Sequence, residues 1–231
     1  MRRVAALYDI HANLPALEAV LAEAGEADLV VVGGDFSHGP MPAETVDRLR
    51  ALGERVRFIR GNADRIAVGE GRWKAGRLGA ERVEFLAGLP ETAAVEIDGL
   101  GGVLFCHGSP RSDEEIITAV TPPERLERIL AGVSEPVVVC GHTHHQFALR
   151  SGTTRVVNAG SVGMPYEGRP GAFWAMLGPD VEHRSTAYDL DAAEAAVRAT
   201  GFPGADELVD TLRHPAAADD VARHFESLAT G

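Results

Sequence analysis

Apolar positions along the chain fall into short unbroken runs, each stopped by a Gly-, Pro- or Asp-containing turn. Val4-Ala5-Ala6-Leu7-Tyr8 reads as a first strand that ends in Asp9-Ile10-His11. A helix follows, with Asn13 near its cap, Pro15 in its first turn, and Leu14, Leu17, Val20, Leu21 and Ala24 on one face. Gly25 ends it. Leu29-Val30-Val31-Val32 is a second strand, apolar throughout as a parallel strand buried on both faces should be, and it runs into Gly33-Gly34-Asp35. A second helix is expected from about Ala43 to Leu52, with Val46, Leu49 and Leu52 inward. Val56-Arg57-Phe58-Ile59 is the third strand, ending in Gly61-Asn62-Ala63-Asp64. Residues 65–88 read as two helical pieces broken around Gly69 to Gly79, a Gly- and Arg-rich candidate for a mobile flap.

Beyond Pro90 the pattern changes. Ala93 to Ile97 and Val103 to Phe105 flank the turn Asp98-Gly99 as a hairpin, and its second strand ends in Cys106-His107-Gly108-Ser109-Pro110. Pro122 to Leu130 reads as a helix. The apolar run Pro136-Val137-Val138-Val139 leads into Cys140-Gly141-His142-Thr143-His144-His145. Phe147 to Leu149 and Arg155 to Val157 make another hairpin about Ser151-Gly152, and Ala172 to Leu177 with Val181 to Tyr188 make a last one. From Asp191 the chain is Ala-rich and reads as two or three surface helices. The order βαβαβ, then strand-rich, then helical, predicts an α/β fold. Its form is two mixed β-sheets packed face to face with helices on the outside, a four-layer αββα sandwich. Residues 1–190 form the expected domain, and residues 191–231 a C-terminal helical extension packed on it.

Composition narrows the function. At 231 residues, 45% hydrophobic and 24% charged, the chain has the make-up of an ordinary globular protein. Its net charge of −12 argues against a nucleic-acid groove or an anionic membrane surface and suits cation binding. No apolar run approaches the ~20 residues of a membrane span. The run after Arg2-Arg3 is too short for a signal-peptide core, so a cytoplasmic location is expected. Cys106 and Cys140 read as buried free thiols. Oligomeric state is left open.

Candidate chemistry collects where strands end. Asp9 and His11, Asp35, Asn62, His107, and finally His142 and His144 all sit at such ends. Taken singly, each has an ordinary explanation as a cap, a turn residue or a core histidine. Together they are oxygen and imidazole donors at one type of position, and in an α/β protein that end of the sheet is where ligands bind. They are too many for one tetrahedral zinc site. They suit two metals sharing a carboxylate, as in phosphatases and nucleases. Two divalent cations against Asp9 and Asp35 leave a net positive site, suited to a phosphoester anion.

The ordered set Asp-x-His, Gly-Asp, Gly-Asn, His-Gly and Gly-His-Thr-His resembles the calcineurin-like metallophosphoesterase superfamily, in its small bacterial and archaeal phosphodiesterase branch. Asn158-Ala159-Gly160-Ser161-Val162-Gly163 is similar to that branch's Asn-Pro-Gly-Ser motif. The resemblance covers residues 4 to about 188. It implies a dinuclear phosphoesterase of phosphodiester or phosphomonoester bonds, acting on a small phosphoester through a metal-bridging hydroxide. One divalent ion is then held by Asp9, His11, Asp35 and His144, the other by Asp35, Asn62, His107 and His142, with Asp35 bridging. Asp35, Asn62 and His142 are the implied catalytic residues. Manganese is the first expectation, with Fe, Zn, Co or Ni as alternatives. Two other readings stay open: a diadenosine polyphosphate or nucleotide hydrolase, and a non-catalytic scaffold such as the retromer subunit that shares the fold.

The sequence departs from the family pattern at three places. Ala63 stands where many members have a His that assists the leaving group, which predicts a slower enzyme or one preferring good leaving groups. Tyr8 and Ala12 replace the common Ser and Gly around the first motif. Asn13, His38 and Asp64 are candidate substrate contacts, with His145 and Arg111 behind them. Specificity is expected from the Phe36–Pro42, Arg65–Gly79 and Pro165–Pro170 loops.

Overall fold

The computed structural model describes residues 3–65 and 72–229. In chain order the first half contains β1 (Val4–Leu7), α1 (Leu14–Glu23), β2 (Leu29–Gly33), α2 (Pro42–Arg50), β3 (Val56–Ile59) and α3 (Arg72–Ala87). The hairpin β4 (Thr92–Ile97) and β5 (Gly101–Cys106), α4 (Pro123–Ile129) and β6 (Val137–Cys140) follow. Then come β7 (Gln146–Ser151), β8 (Thr154–Ala159), β9 (Ala172–Leu177) and β10 (Val181–Thr186). The chain finishes with α5 (Leu190–Ala199), α6 (Ala205–Arg213) and α7 (Ala218–Leu228). Asn13 caps α1 by accepting the Ala16 amide, and Pro15 sits in the first turn, where its missing N–H costs nothing. Gly79, with φ 72°, interrupts α3, so the expected two-piece helix is seen from Arg72 onward. The rest of the expected flap, 66–71, lies outside the described residues.

The strands form two five-stranded mixed sheets, ordered β10-β9-β1-β2-β3 and β4-β5-β6-β8-β7. In the first, β1, β2 and β3 are parallel, with β9 antiparallel to β1. In the second, β5, β6 and β8 are parallel. Strand period 2 divides β1 between two cores. Val4 and Ala6, continued by Tyr8, face the second sheet and meet Phe105, Val139 and Val157. Ala5 and Leu7 face the helices and meet Leu17, Val46 and Leu78. A third core joins the outer face of the second sheet, through Val138 and Val156, to Leu126 and Ile129 of α4. Helix, sheet, sheet and helix therefore stack as the expected four layers. Cys106 and Cys140 are buried and free.

Tyr8 locks the two sheets together. Its ring occupies the space where Gly33 and Gly141 lack a Cβ, and its hydroxyl donates to the Val139 carbonyl at 2.9 Å. No helix among the described residues is long and apolar enough to cross a membrane.

The C-terminal helices are fastened at two places. Leu208, Val209 and Leu212 of α6 pack with Val197 of α5 and against Met41 and Met164. Farther on, Glu226 of α7 takes both the Arg125 guanidinium and the hydroxyls of Thr118 and Thr121, all at 2.8–2.9 Å. Glu226→Ala would leave the largely buried Arg125 without its counter-charge. The expected loss is about 2 kcal/mol, with α7 becoming an early cleavage site in limited proteolysis. Glu226→Gln, which keeps the hydroxyl contacts, should fall between Glu226→Ala and the parent chain.

Candidate metal centre

β1, β2 and β3 end side by side in one sheet, and β5 and β6 in the other. The chain turns sharply as it leaves them. Asp9, His11, Asp35, His142 and His144 all have left-handed backbone, with φ between 47° and 67°. Non-glycine residues adopt this conformation at a cost of roughly 1–3 kcal/mol each, and such strain gathers at functional sites. Loop-to-loop bonds hold the turns. The His11 and Ala12 amides donate to the Asp35 and Phe36 carbonyls at 2.9 and 3.2 Å, and the Gly141 amide donates to the His107 carbonyl at 2.9 Å. The left-handed φ of 48° at Ala12 explains why Gly suits that position better.

Two groups of donors result, Asp9–His11–His144 and Asp35–His107–His142, with ligand atoms in each within 4.8 Å of one another. His144 Nε2 lies 3.2 Å from Asp9 Oδ1 and 3.1 Å from His11 Nε2. His107 Nε2 lies 3.3 Å from Asp35 Oδ2, 3.1 Å from Asn62 Oδ1 and 3.8 Å from Asp9 Oδ1, so Asn62 joins the second group and Asp9 stands at the junction.

Hydrogen bonding on the far side of each ring decides which nitrogen faces inward. His107 Nδ1 donates to the Gly33 carbonyl at 2.9 Å, and His144 Nδ1 to the Met164 carbonyl at 2.7 Å. Both Nε2 atoms are thereby left free to bind a cation or a second proton. Asp9 Oδ1 is buried without a hydrogen-bond partner. Acceptor atoms turned toward one another out of water call for positive charge between them. Hard oxygens and imidazoles of this kind fit divalent transition metals.

The electrostatics agree. Burial opposes charging of His107, but the Asp35 and Asp9 carboxylates outweigh it and lift the imidazole to about 10. Burial pushes Asp35 up, yet His107, then His11 and the Ala63 amide, hold it well below the usual carboxylate range. Burial and the neighbouring His144 hold His11 down at about 4. His142 is lowered by burial and by His107. Asp35 thus responds to imidazoles of both groups, as does Asp9, which burial raises and His144 and His107 lower.

Two candidate substrate contacts are reassigned. Asp64 does not face the cleft: its carboxylate accepts the amides of Asp35, Gly61, Phe36 and Ser37 and the Ser37 hydroxyl, at 2.7–3.1 Å. It fixes the Gly-Asp loop against the Gly-Asn turn, and burial followed by the Asp35 charge raises it above the ordinary carboxylate value. Asn13 is fully buried, with its amide nitrogen on the Gly163 carbonyl at 3.1 Å and its oxygen capping α1. It joins loops rather than meeting a substrate. His38 is exposed at the mouth, edge-on to His11 at 6.4 Å between ring centroids. His145 is buried, its Nδ1 donating to the Thr143 carbonyl. Arg111 pairs with Glu115.

Sequence reasoning missed Lys74, Tyr166 and Phe202. Lys74 is 4% exposed and donates to the Ala63 carbonyl at 2.6 Å, bracing the Asn62–Asp64 turn from behind. Tyr166 stacks on His144 at 5.0 Å. Residues 158–163, noted for their motif, wrap the end of β1: the Ser161 hydroxyl donates to the Asp9 carbonyl at 2.7 Å, and Asn158 donates to the Gly141 carbonyl at 2.6 Å.

Comparison with known proteins adds independent findings. The calcineurin-like phosphoesterase superfamily domain matches residues 2–178. The phosphodiesterase YfcE of Escherichia coli (strain K12) is 31% identical over 186 residues, which cover 75% of this chain and 85% of that protein. The solved metallophosphoesterase from Sphaerobacter thermophilus is 29% identical, with a TM-score of 0.75 over 91% of this chain and 98% of its own. A hypothetical protein from Pyrococcus horikoshii OT3 shares the fold at 24% identity and a TM-score of 0.78, over 94% of this chain and 100% of its own.

Two outcomes test the geometry. At Gly61 the backbone (φ −99°) is open to alanine, but a methyl there would lie 2.1 Å from Asp35 Oδ1 and 2.5 Å from the Asp35 amide nitrogen, so the Asp35 loop would have to shift. Gly61→Ala should lower the melting temperature while keeping the far-UV circular dichroism of the folded chain below it, and should lose about 10–100-fold in divalent-metal affinity, as read by metal titration. The second outcome concerns protons. With a value of about 10, His107 carries its extra proton at pH 7 and must shed it to ligate, whereas His11, at about 4, is already neutral. Metal uptake at the His107 group should release about one proton per ion, with affinity rising as pH rises from 7 toward 10 and falling as it drops. Calorimetry in buffers of different ionisation enthalpy reads this release, and His107→Ala should reduce it by about one proton per ion bound.

Proposed function

The chain belongs to the calcineurin-like phosphoesterase superfamily, and we propose that it is a dinuclear, metal-dependent hydrolase of small phosphodiesters or phosphomonoesters. The observation that carries this reading is the pair of donor groups meeting at Asp9 and Asp35, with His107 and His144 held in the tautomer that points Nε2 inward. Asp9, His11 and His144, with Asp35 shared, would hold one ion, and Asp35, Asn62, His107 and His142 the other. Divalent cations bound there would polarise the phosphoryl oxygens and supply a water-derived nucleophile at neutral pH. Manganese is the proposed metal. Two free, buried thiols suit a reducing compartment, in line with the proposed cytoplasmic location.

The chain's own residues would set the rest of the chemistry. Asp64 fixes the Asp35 amide at 2.8 Å, and the Ala63 amide at 2.7 Å from Asp35 Oδ1 holds one carboxylate oxygen in place. Asn62 and the half-buried His142 reach the cleft and would contact the phosphoryl group. A proton donor for the leaving group is not supplied at position 63, and Lys74 is turned away toward the Ala63 carbonyl. Esters with acidic leaving groups are therefore the favoured substrates.

The test is metal analysis together with hydrolysis of bis-(p-nitrophenyl) phosphate in added Mn²⁺. The expected result is about two ions per chain and a chelator-sensitive turnover that falls at least about 100-fold in Asp35→Asn and in His142→Ala. Less than one ion per chain, or turnover that survives both substitutions, would overturn the proposal.

A further inference from the structure

The family match ends at residue 178, yet the chain continues past that point to build one wall of the cleft. A pocket of about 290 Å³ opens directly against His11. His38, Met164 and Tyr166 line it from the matched domain, and Phe202 and Leu208 from the C-terminal helices. Its lining exposes more apolar than polar surface. Phe202 stands in the segment joining α5 to α6, edge-on to His38 at 6.2 Å and against Trp73 at 5.1 Å. That segment is anchored by Arg77, which donates to the Thr200 carbonyl at 2.6 Å and lies over Trp73. Leu208 belongs to the buried face by which α6 is packed onto the domain. Tyr166, stacked on His144, completes a set of aromatic faces around an opening that begins at a proposed metal ligand.

Charge narrows the occupant. No Lys or Arg is found among the described residues lining this pocket, and Glu207 is the charged residue that borders it. A phosphate group lying in the pocket itself would meet no Lys or Arg and one carboxylate, so the pocket suits the uncharged part of a substrate. The volume sits at the lower end of the range for small-molecule pockets, enough for a single ring system. Aromatic walls reward a flat ring through edge-on and offset stacking.

We infer that the C-terminal helices give this phosphoesterase a subsite for an uncharged aromatic ring carried on the phosphoryl group, with Phe202 as its specificity-determining residue. The inference rests on the phosphoesterase reading above, and it names aryl or nucleobase-bearing phosphoesters as the substrate class. The subsite is built jointly, with His38, Met164 and Tyr166 from the matched domain and Phe202 and Leu208 from the C-terminal helices.

Binding of non-hydrolysable phosphonates separates the two readings. Phenylphosphonate and methylphosphonate are titrated by calorimetry into the Mn²⁺-loaded protein, with inorganic phosphate as reference. Phenylphosphonate should bind about tenfold tighter than methylphosphonate. In Phe202→Ala that ratio should fall to about one, and in Phe202→Tyr it should persist. Thr211→Trp, at a half-buried position on the same lining, should fill the pocket and remove the preference while methylphosphonate still binds. Equal binding of the two phosphonates by the parent chain, or a preference that survives either Phe202→Ala or Thr211→Trp, overturns the subsite alone. Failure of phosphate and both phosphonates to bind overturns the phosphoesterase reading and the subsite with it.

Discussion

The crowding of buried carboxylates and imidazoles at the junction of the two sheets sets the terms for everything around it. Asp9 Oδ1 is buried with no hydrogen-bond donor, and three imidazole Nε2 atoms lie within 4.0 Å of it. Isolated charges or lone pairs of this kind would separate or hydrate if the chain allowed it. It does not, because both carboxylates and two of the imidazoles are held from behind. Gly33 and Met164 carbonyls fix two rings, the His142 amide fixes Asp9 Oδ2 at 2.8 Å, and the Ala63 amide fixes Asp35. The protein thus holds its carboxylates and imidazoles in a fixed, buried cluster in which a proton on His107 or a bound cation balances the negative charge, the form of pre-organisation expected of a catalytic centre.

Asp64 and Tyr8 show how two large sheets deliver that arrangement. A single buried carboxylate gathers four backbone amides from two loops, so the Gly-Asp and Gly-Asn motifs move as one body. Tyr8 fills the gap left by Gly33 and Gly141 and ties β1 to β6 through the Val139 carbonyl. The glycines are therefore part of the fit: a side chain at either position would strike the Tyr8 ring within 2.5 Å. Neither residue touches the chemistry, yet both fix the separation of the groups that would.

Much of this was legible in the chain. Strands β1, β2 and β6 are short apolar runs, and each helix that follows the first two strands carries a clear apolar face, so the layers and most of the strand-end donors could be read directly. What escaped was whatever depends on distant partners. Asp64 read as a substrate contact because its amide donors, apart from Gly61, lie 27 to 29 residues away in the Gly-Asp loop. Asn13 was half legible, since the cap is local and the bond to Gly163 is not. Lys74 lay in a Gly- and Arg-rich stretch with no periodic signal. Phe202 sat in an extension whose Ala-rich pattern announced helices but not which loop would turn toward the cleft. The left-handed backbone at five ligand positions is not marked in the sequence, because Asp and His tolerate that conformation better than most side chains but occur far more often outside it.

The division of donors between sheets has one more consequence. Asp9, His11 and Asp35 follow strands of one sheet, and His107, His142 and His144 follow strands of the other, so each group straddles the seam. A folding intermediate with only one sheet formed owns no complete group. An ion bound at the junction would rivet the two halves together, and its binding energy would oppose their sliding or parting far more than the fraying of any single strand. Metal supply would then govern more than turnover: it would set how long the sandwich stays closed, and a chain starved of cation would tend to open along the same line that defines its site.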